Sequence, residues 1–221
     1  MCHRADVTRH LRRGLHGLAV RHLSAASRQV GARLCHVSTD YVFDGTKDGA
    51  YVEWDHTNPV SAYGRSKEAG EQEVGPDDLL VRTSWVCGRY GKNAVTAVLG
   101  LAANPDQRLK FVNDQVGCPT MAADLAATLV TLVTERLTGT FHVTNAGPVS
   151  WWEFARDMLR LAGHDPDRVD PITTAELDPP RAAPRPANSV LDGMALRLHG
   201  MEPVRHYTEA LAELIHDLQN A

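Results

Sequence analysis

Tyr63 and Lys67 stand four residues apart in a stretch that reads as helix, so both side chains leave one face. A phenol has an ordinary pKa of about 10, too high for easy proton exchange near neutrality. A lysine ammonium within about 6 Å favours the phenolate and lowers that value. Such a tyrosine can hand its proton to a ketone oxygen that gains negative charge as hydride reaches the carbon. Upstream, Ser38-Thr39 closes a short apolar run, which places the Thr39 hydroxyl at the carboxyl end of a strand. Open α/β sheets hold their ligands at that end. From there Thr39 can give the same oxygen a second hydrogen bond. Taken alone, a Tyr/Lys pair at this spacing is a weak sign, because most such pairs are ordinary surface residues. Lysine is scarce in this chain, however: Lys47, Lys67, Lys92 and Lys110 are all of it. That scarcity brings the catalytic and decorative readings to about even weight.

Strands and helices must alternate to position these groups. Leu11, Leu15, Leu18 and His22 fall at helical spacing, extended by Leu23 and Ala26, and predict a helix over 8–30. Residues 33–38 read as a buried strand and 39–59 as a long loop, a length that in a compact domain points to function. Ser61 caps a predicted helix over 62–74. Strands follow at 79–84, 108–112 and 140–144, and helices at 93–103, 121–135 and 151–162, the last opened by Ser150 with Glu153 in a capping box. Residues 165–188 are proline-rich and irregular, with a short strand near Val169, and helices over 191–198 and 207–218 close the chain. This alternation predicts an α/β fold with a mostly parallel sheet and right-handed crossovers.

Composition narrows the classes. With 221 residues there is room for one large domain or one domain with a smaller lobe. A net charge of -4 argues against a nucleic-acid partner, and no apolar run reaches the length of a membrane span. Cys2, Cys35, Cys87 and Cys118 are scattered, without a C-x-x-C pair, so no zinc site or disulfide framework is expected. They read as reduced thiols of a cytoplasmic protein. The first residues are basic, with Arg4, Arg9, His10, Arg12 and Arg13 against one acid, Asp6. They lack the apolar core of a secretory signal.

The motifs carry a resemblance. Val37 to Gly45 (VSTDYVFDG) is followed by Pro59-x-x-x-Tyr63-Gly64-x-Ser66-Lys67, then by Arg82-Thr83-Ser84-Trp85-Val86. Residues 114–120 (DQVGCPT), 139–143 (GTFHV) and 185–189 (RPANS) continue the series. From about Ala19 onward this resembles the extended short-chain dehydrogenase/reductases, most closely the dTDP-4-dehydrorhamnose reductase family. The resemblance implies a Rossmann-like NAD(P)-binding sheet with a smaller C-terminal substrate-binding lobe. It implies NADPH- or NADH-dependent reduction of the 4-keto group of a dTDP-4-dehydro-6-deoxy-sugar. Tyr63 is then the proton donor, Lys67 the residue that holds the nicotinamide ribose, and Thr39 the third member of the triad. Ser84 falls to the cofactor side. Asp40, Trp85, Asp114, Gln115 and Asn188 fall to the sugar-nucleotide, with Thr39 beside them. Asn188 and Arg185 either touch the nucleotide or only brace the lobe, and Trp85 is also a candidate core residue. Trp151 and Trp152 are assigned to helix packing. No metal ligands are placed, and a homodimer is one state the resemblance allows, with oligomeric state left open by the sequence. Sugar-nucleotide dehydratases carry Thr-Asp-Glu where this chain has Thr39-Asp40-Tyr41; tyrosine cannot replace a glutamate that moves a C–H proton, so ketone reduction is favoured.

The chain departs from that family at its start. Members open with a strand and a G-x-x-G-x-x-G turn that cradles the cofactor pyrophosphate. Gly14 and Gly17 sit instead in an Arg/Leu helix pattern. Roughly the first three strands of the sheet are therefore expected to be missing, which leaves one edge of the strand at 33–38 bare. The expected division is a basic segment over 1–18, a Rossmann remnant over 19–90 and 121–147, and a substrate lobe over 91–120 and 148–221. A truncated reading of a reductase gene follows as one expectation. The competing readings are a non-catalytic sugar-nucleotide-binding module, such as the related regulatory subunit of methionine adenosyltransferase, and an inactive fragment.

Overall fold

The computed structural model describes residues 17–220. Cys2, all but the last two residues of the basic segment and the part of the predicted first helix before residue 17 lie outside them. Helix α1 covers residues 17–29 and leads to strand β1, Cys35–Thr39. A 3-10 turn at Asp40–Val42 and a loop reach α2, Ala62–Glu71. Then come β2 (Leu79–Thr83), β3 (Val86–Cys87), α3 (Ala94–Ala102), β4 (Leu109–Val112), β5 (Val116–Gly117) and β6 (Thr120–Met121). The chain continues through α4 (Ala122–Thr134), β7 (Gly139–His142), β8 (Val149–Ser150), α5 (Trp151–Leu161), β9 (Val169–Ile172), α6 (Met194–Leu198) and α7 (Tyr207–Gln219).

The main sheet is parallel, in the order β1-β2-β7. All five residues of β2 (LLVRT) are buried, as befits the middle strand of a sheet covered on both faces. Its register places Thr83 opposite Thr39 and Arg82 opposite Ser38. Leu79, Val81, Phe141 and Val143 meet Leu125 and Leu132 of α4 and Leu196 of α6 in one core. A second core joins α3, α5 and α7 through Val95, Val98, Phe154, Met158, Leu211 and Ile215. Small antiparallel and parallel pairs, β5 with β8 and β3 with β6, tie the segments between them.

Most predicted elements are present within a few residues of their expected ends. Ser61 accepts from Gly64 N as the cap of α2, and Ser150 and Glu153 form the capping box of α5. Two expectations need correction. The strand at Leu109–Val112 does not join the main sheet; it pairs with β9 beside α5. The helix predicted over 191–198 is reduced to α6, because Leu191 is drawn into a bridge with Tyr51. Within α1, Leu18 and Leu23 of the apolar stripe are exposed, while Val20 and Ser24 are buried. Close packing on α2 decides this. Gly17 approaches Ala69, and a β-carbon on Gly70 would sit 3.1 Å from Val20 Cγ2. Ser24 donates to Asp78 Oδ2. Small and polar residues therefore take the inward face. Among the described residues no helix is long and apolar enough to cross a membrane.

Candidate active site

The Thr39 side chain lies where β1 ends and the 3-10 turn begins, and its oxygen accepts from Tyr41 N. Helix α2 starts beside this turn because Gly64 permits it. A β-carbon there would lie 2.1 Å from the Tyr41 carbonyl oxygen. That contact draws the preceding residue, Tyr63, to the end of β1. The Tyr63 and Tyr41 rings meet edge to face at 6.1 Å. The Tyr63 phenol is half exposed, and the Thr39 side chain lies close enough to bear on its pKa. One turn further along α2, Lys67 Nζ donates to Val37 O on β1 at 2.7 Å. Thr39, Tyr63 and Lys67 thus lie together at the outer strand of the sheet.

The electrostatics differ from the expectation in two respects. Tyr63 has its pKa raised, not lowered: burial dominates, the Thr39 hydroxyl opposes it, and the Asp40 charge adds to it. The phenol is held as an acid with its proton in place. Burial pushes the Lys67 ammonium down, and the Glu71 carboxylate pulls it back up. The second difference is at Thr39. Its one proton is directed at Asp40 Oδ1, 2.7 Å away, so it is committed before any ketone arrives. Asp40 is fully buried, with Oδ2 making no hydrogen bond, and burial raises its pKa to about 6 against the pull of the Ser189 and Thr39 hydroxyls.

Trp85 follows β2 with a left-handed backbone, φ 44°, rare for a residue with a side chain. Its ring stacks on Trp151 at 3.8 Å and lies against Gly117, where a β-carbon would meet it at 2.7 Å. Trp85 is only partly buried on the second core, so both readings of it, packing residue and ligand platform, keep support. Trp152 is a packing residue whose indole donates to Val169 O.

Other predicted site residues are occupied elsewhere. Asp114 accepts from the Thr174 backbone and hydroxyl, and Gln115 Nε2 donates to the same hydroxyl. Gln115 Oε1 remains buried without a partner. The Asn188 amide donates to Lys47 O and Gly49 O and accepts from Val190 N, which is the bracing alternative. Arg185 lies near Tyr41. The Ser84 hydroxyl is buried on Cys118 O. The three described cysteines are free thiols. The sequence reading missed the bidentate pair of Arg82 and Glu71 and the neighbouring Glu53 and His142. Glu71 at four residues past Lys67 was the available signal.

The model of one protein family, the RmlD substrate binding domain, matches residues 2–220. The chain belongs to this family. Among similar RmlD-type proteins, a dTDP-4-keto-6-deoxy-D-glucose reductase of Streptomyces niveus is 42% identical over 203 residues, covering 90% of this chain and 69% of that protein. A dTDP-4-dehydrorhamnose reductase of Mycobacterium tuberculosis H37Rv is 44% identical over 200 residues, covering 86% and 65%. The chain thus spans about two thirds of the length of these relatives. The crystal structure of a Bacillus anthracis dTDP-4-dehydrorhamnose reductase in complex with NADP superposes with a TM-score of 0.85 at 36% identity, covering 90% of this chain and 71% of that one. The RmlD family assignment and that superposition establish the Rossmann-like α/β fold.

Proposed function

We propose that this chain carries the proton-delivery half of a reductase acting on the 4-keto group of a dTDP-4-dehydro-6-deoxyhexose, in the direction of dTDP-L-rhamnose. The observation that carries this reading is the gathering of Thr39, Tyr63 and Lys67 at the carboxyl end of β1, with Tyr63 protonated and half exposed. A nicotinamide cofactor, NADPH or NADH, would supply the hydride. The side chains present fit its ribose end: a phenol and an ammonium four residues apart lie beside the outer strand. Tyr63 and Lys67 would hold the ribose hydroxyls there.

The chain's own groups account for the proton. As the ketone carbon is reduced, its oxygen becomes basic and takes the Tyr63 proton, leaving a phenolate. The Lys67 ammonium lies on the same helix face and opposes that charge. The ketone oxygen then bears the proton as an alcohol, and Tyr63 regains one from water. Asp40 orients Thr39 by accepting its hydroxyl proton. Trp85 offers an aromatic face to the apolar side of the sugar, and Gln115 Oε1 an unused acceptor. Arg185 lies toward the nucleotide.

The relative from Streptomyces niveus is named for a 4-keto sugar of the D-glucose series, so sugar stereochemistry is the part to test. Purified chain is offered NADPH with each epimeric dTDP-4-keto-6-deoxyhexose, and loss of NADPH absorbance is followed. Faster turnover of the L-series ketone, abolished in Tyr63→Phe, is expected. Turnover that survives in Tyr63→Phe rejects the proton-donor role, and preference for the D-series ketone rejects the rhamnose assignment. Binding of dTDP without any NADPH binding would favour the non-catalytic module.

A further inference from the structure

Helix α2 is anchored at both ends, and the second anchor has no part in the chemistry described above. At its start, the Gly64 backbone rests on the Tyr41 carbonyl. At its end, Glu71 takes a bidentate grip from Arg82 of β2. Nε donates to both carboxylate oxygens at 3.1 and 3.2 Å, and Nη2 donates to Oε2 at 2.8 Å. Both side chains are only 7% exposed. Arg82 Nη1 also donates to Glu53 O, tying in the loop after Thr39, and faces His142 Nε2 at 3.4 Å. Arg82 is opposite Ser38, one step before the Thr83–Thr39 pair. The ion pair therefore fixes the helix to the same sheet rows that place Thr39. Tyr63, Lys67 and Glu71 follow at intervals of four on one face.

We infer that the Glu71–Arg82 pair is a positioning device for proton delivery, in which Arg82 fixes Glu71 at the end of α2, one helical turn beyond Lys67, as the counter-charge to its ammonium. This rests on the reading of Tyr63 as proton donor, because Lys67 opposes the phenolate that Tyr63 leaves behind. The groups facing Lys67 support it. Val37 O on β1 is a neutral acceptor, and Tyr63 on α2 itself is uncharged. Asp40 beyond Thr39 bears on Tyr63, and His36 of β1 lies against Gly70. Burial lowers the Lys67 pKa, and the Glu71 charge four residues on opposes that shift.

A structural clamp alone would show in stability, and a counter-charge would show in the titration of Lys67. The protein has four lysines, so isotope-labelled lysine gives four ammonium signals, and Lys67→Arg assigns the one of interest. Glu71→Gln leaves Arg82 buried and unpaired, and its Tm should fall by roughly 6–20 °C. The double variant Glu71→Leu/Arg82→Met removes both charges at similar volume and should stay folded. In it, the Lys67 signal should titrate at lower pH than in the wild type. A folded double variant with unchanged Lys67 titration overturns the inference, as does a Glu71→Gln protein as stable as wild type. Absence of ketone reduction by the wild-type chain, with the Lys67 shift present, would reject the reductase reading and leave the charge coupling intact.

Discussion

Asp40 should cost this protein stability above pH 6, and Asp40→Asn measures how much. A carboxylic acid in water has a pKa of about 3.9. In the folded chain burial raises that of Asp40 to about 6. Over the interval between those values the native state keeps a proton that the unfolded state has released. Stability from this group is therefore fully present below the unfolded value and is lost as pH rises through the folded one. The total is about two units at about 1.4 kcal/mol each, or about 3 kcal/mol. Between urea titrations near pH 4.5 and near pH 7.5, about 2 kcal/mol of it should be lost. Asparagine does not titrate, so Asp40→Asn should gain that amount relative to wild type between the two conditions, about 4–8 °C in Tm. Any fixed offset from the new buried amide cancels in the comparison, and other titrating groups change both proteins alike. Parallel pH profiles for the two proteins would refute the reasoning. The variant should also be a poorer enzyme, since Thr39 would lose its charged acceptor.

The remaining predictions concern geometry. Tyr63→Phe should leave dTDP binding within about twofold while cutting turnover by at least about 100-fold, as expected of a lost general acid; steady-state kinetics with calorimetric binding would separate the two. Gly64→Ala should push α2 off the Tyr41 carbonyl, with a loss of about 2 kcal/mol in stability by urea titration, because a backbone oxygen 2.1 Å from the new carbon cannot move aside alone. Gly117→Ala should displace the Trp85 ring and weaken sugar-nucleotide binding about tenfold or more, with little change in dTDP binding; equal loss for both ligands would remove Trp85 from the sugar's side.

The triad was legible because its signals are local. A strand end, a serine cap and a spacing of four need only neighbouring residues, and Ser61, Tyr63 and Lys67 supply them. The pair of Glu71 and Arg82 was not, since the packing of α2 on β2 brings it together; the spacing of Glu71 from Lys67 was a local sign, but nothing local points to Arg82. The inward face of α1 is not set by its leucines, because packing against Ala69 and Gly70 selects for small size. Motif resemblance placed Asp114 and Asn188 near a ligand. Their hydrogen bonds go instead to Thr174 and to the Lys47–Gly49 loop, partners set by the tertiary fold. The left-handed turn at Trp85 has no sequence signature, because its residue type argues against that conformation.

The stack of Trp85 on Trp151, nearly parallel at 17°, has a spectroscopic consequence. Indoles this close share their electronic excitation, and a coupled pair in a chiral setting gives a two-signed dichroism band. Trp54 is exposed elsewhere and Trp152 is turned to Val169, so this band would report one place in the molecule. A sugar that slides between the rings would erase it; one that settles on the free face of Trp85 would leave it. The protein thus carries an unlabelled optical reporter of how its substrate docks.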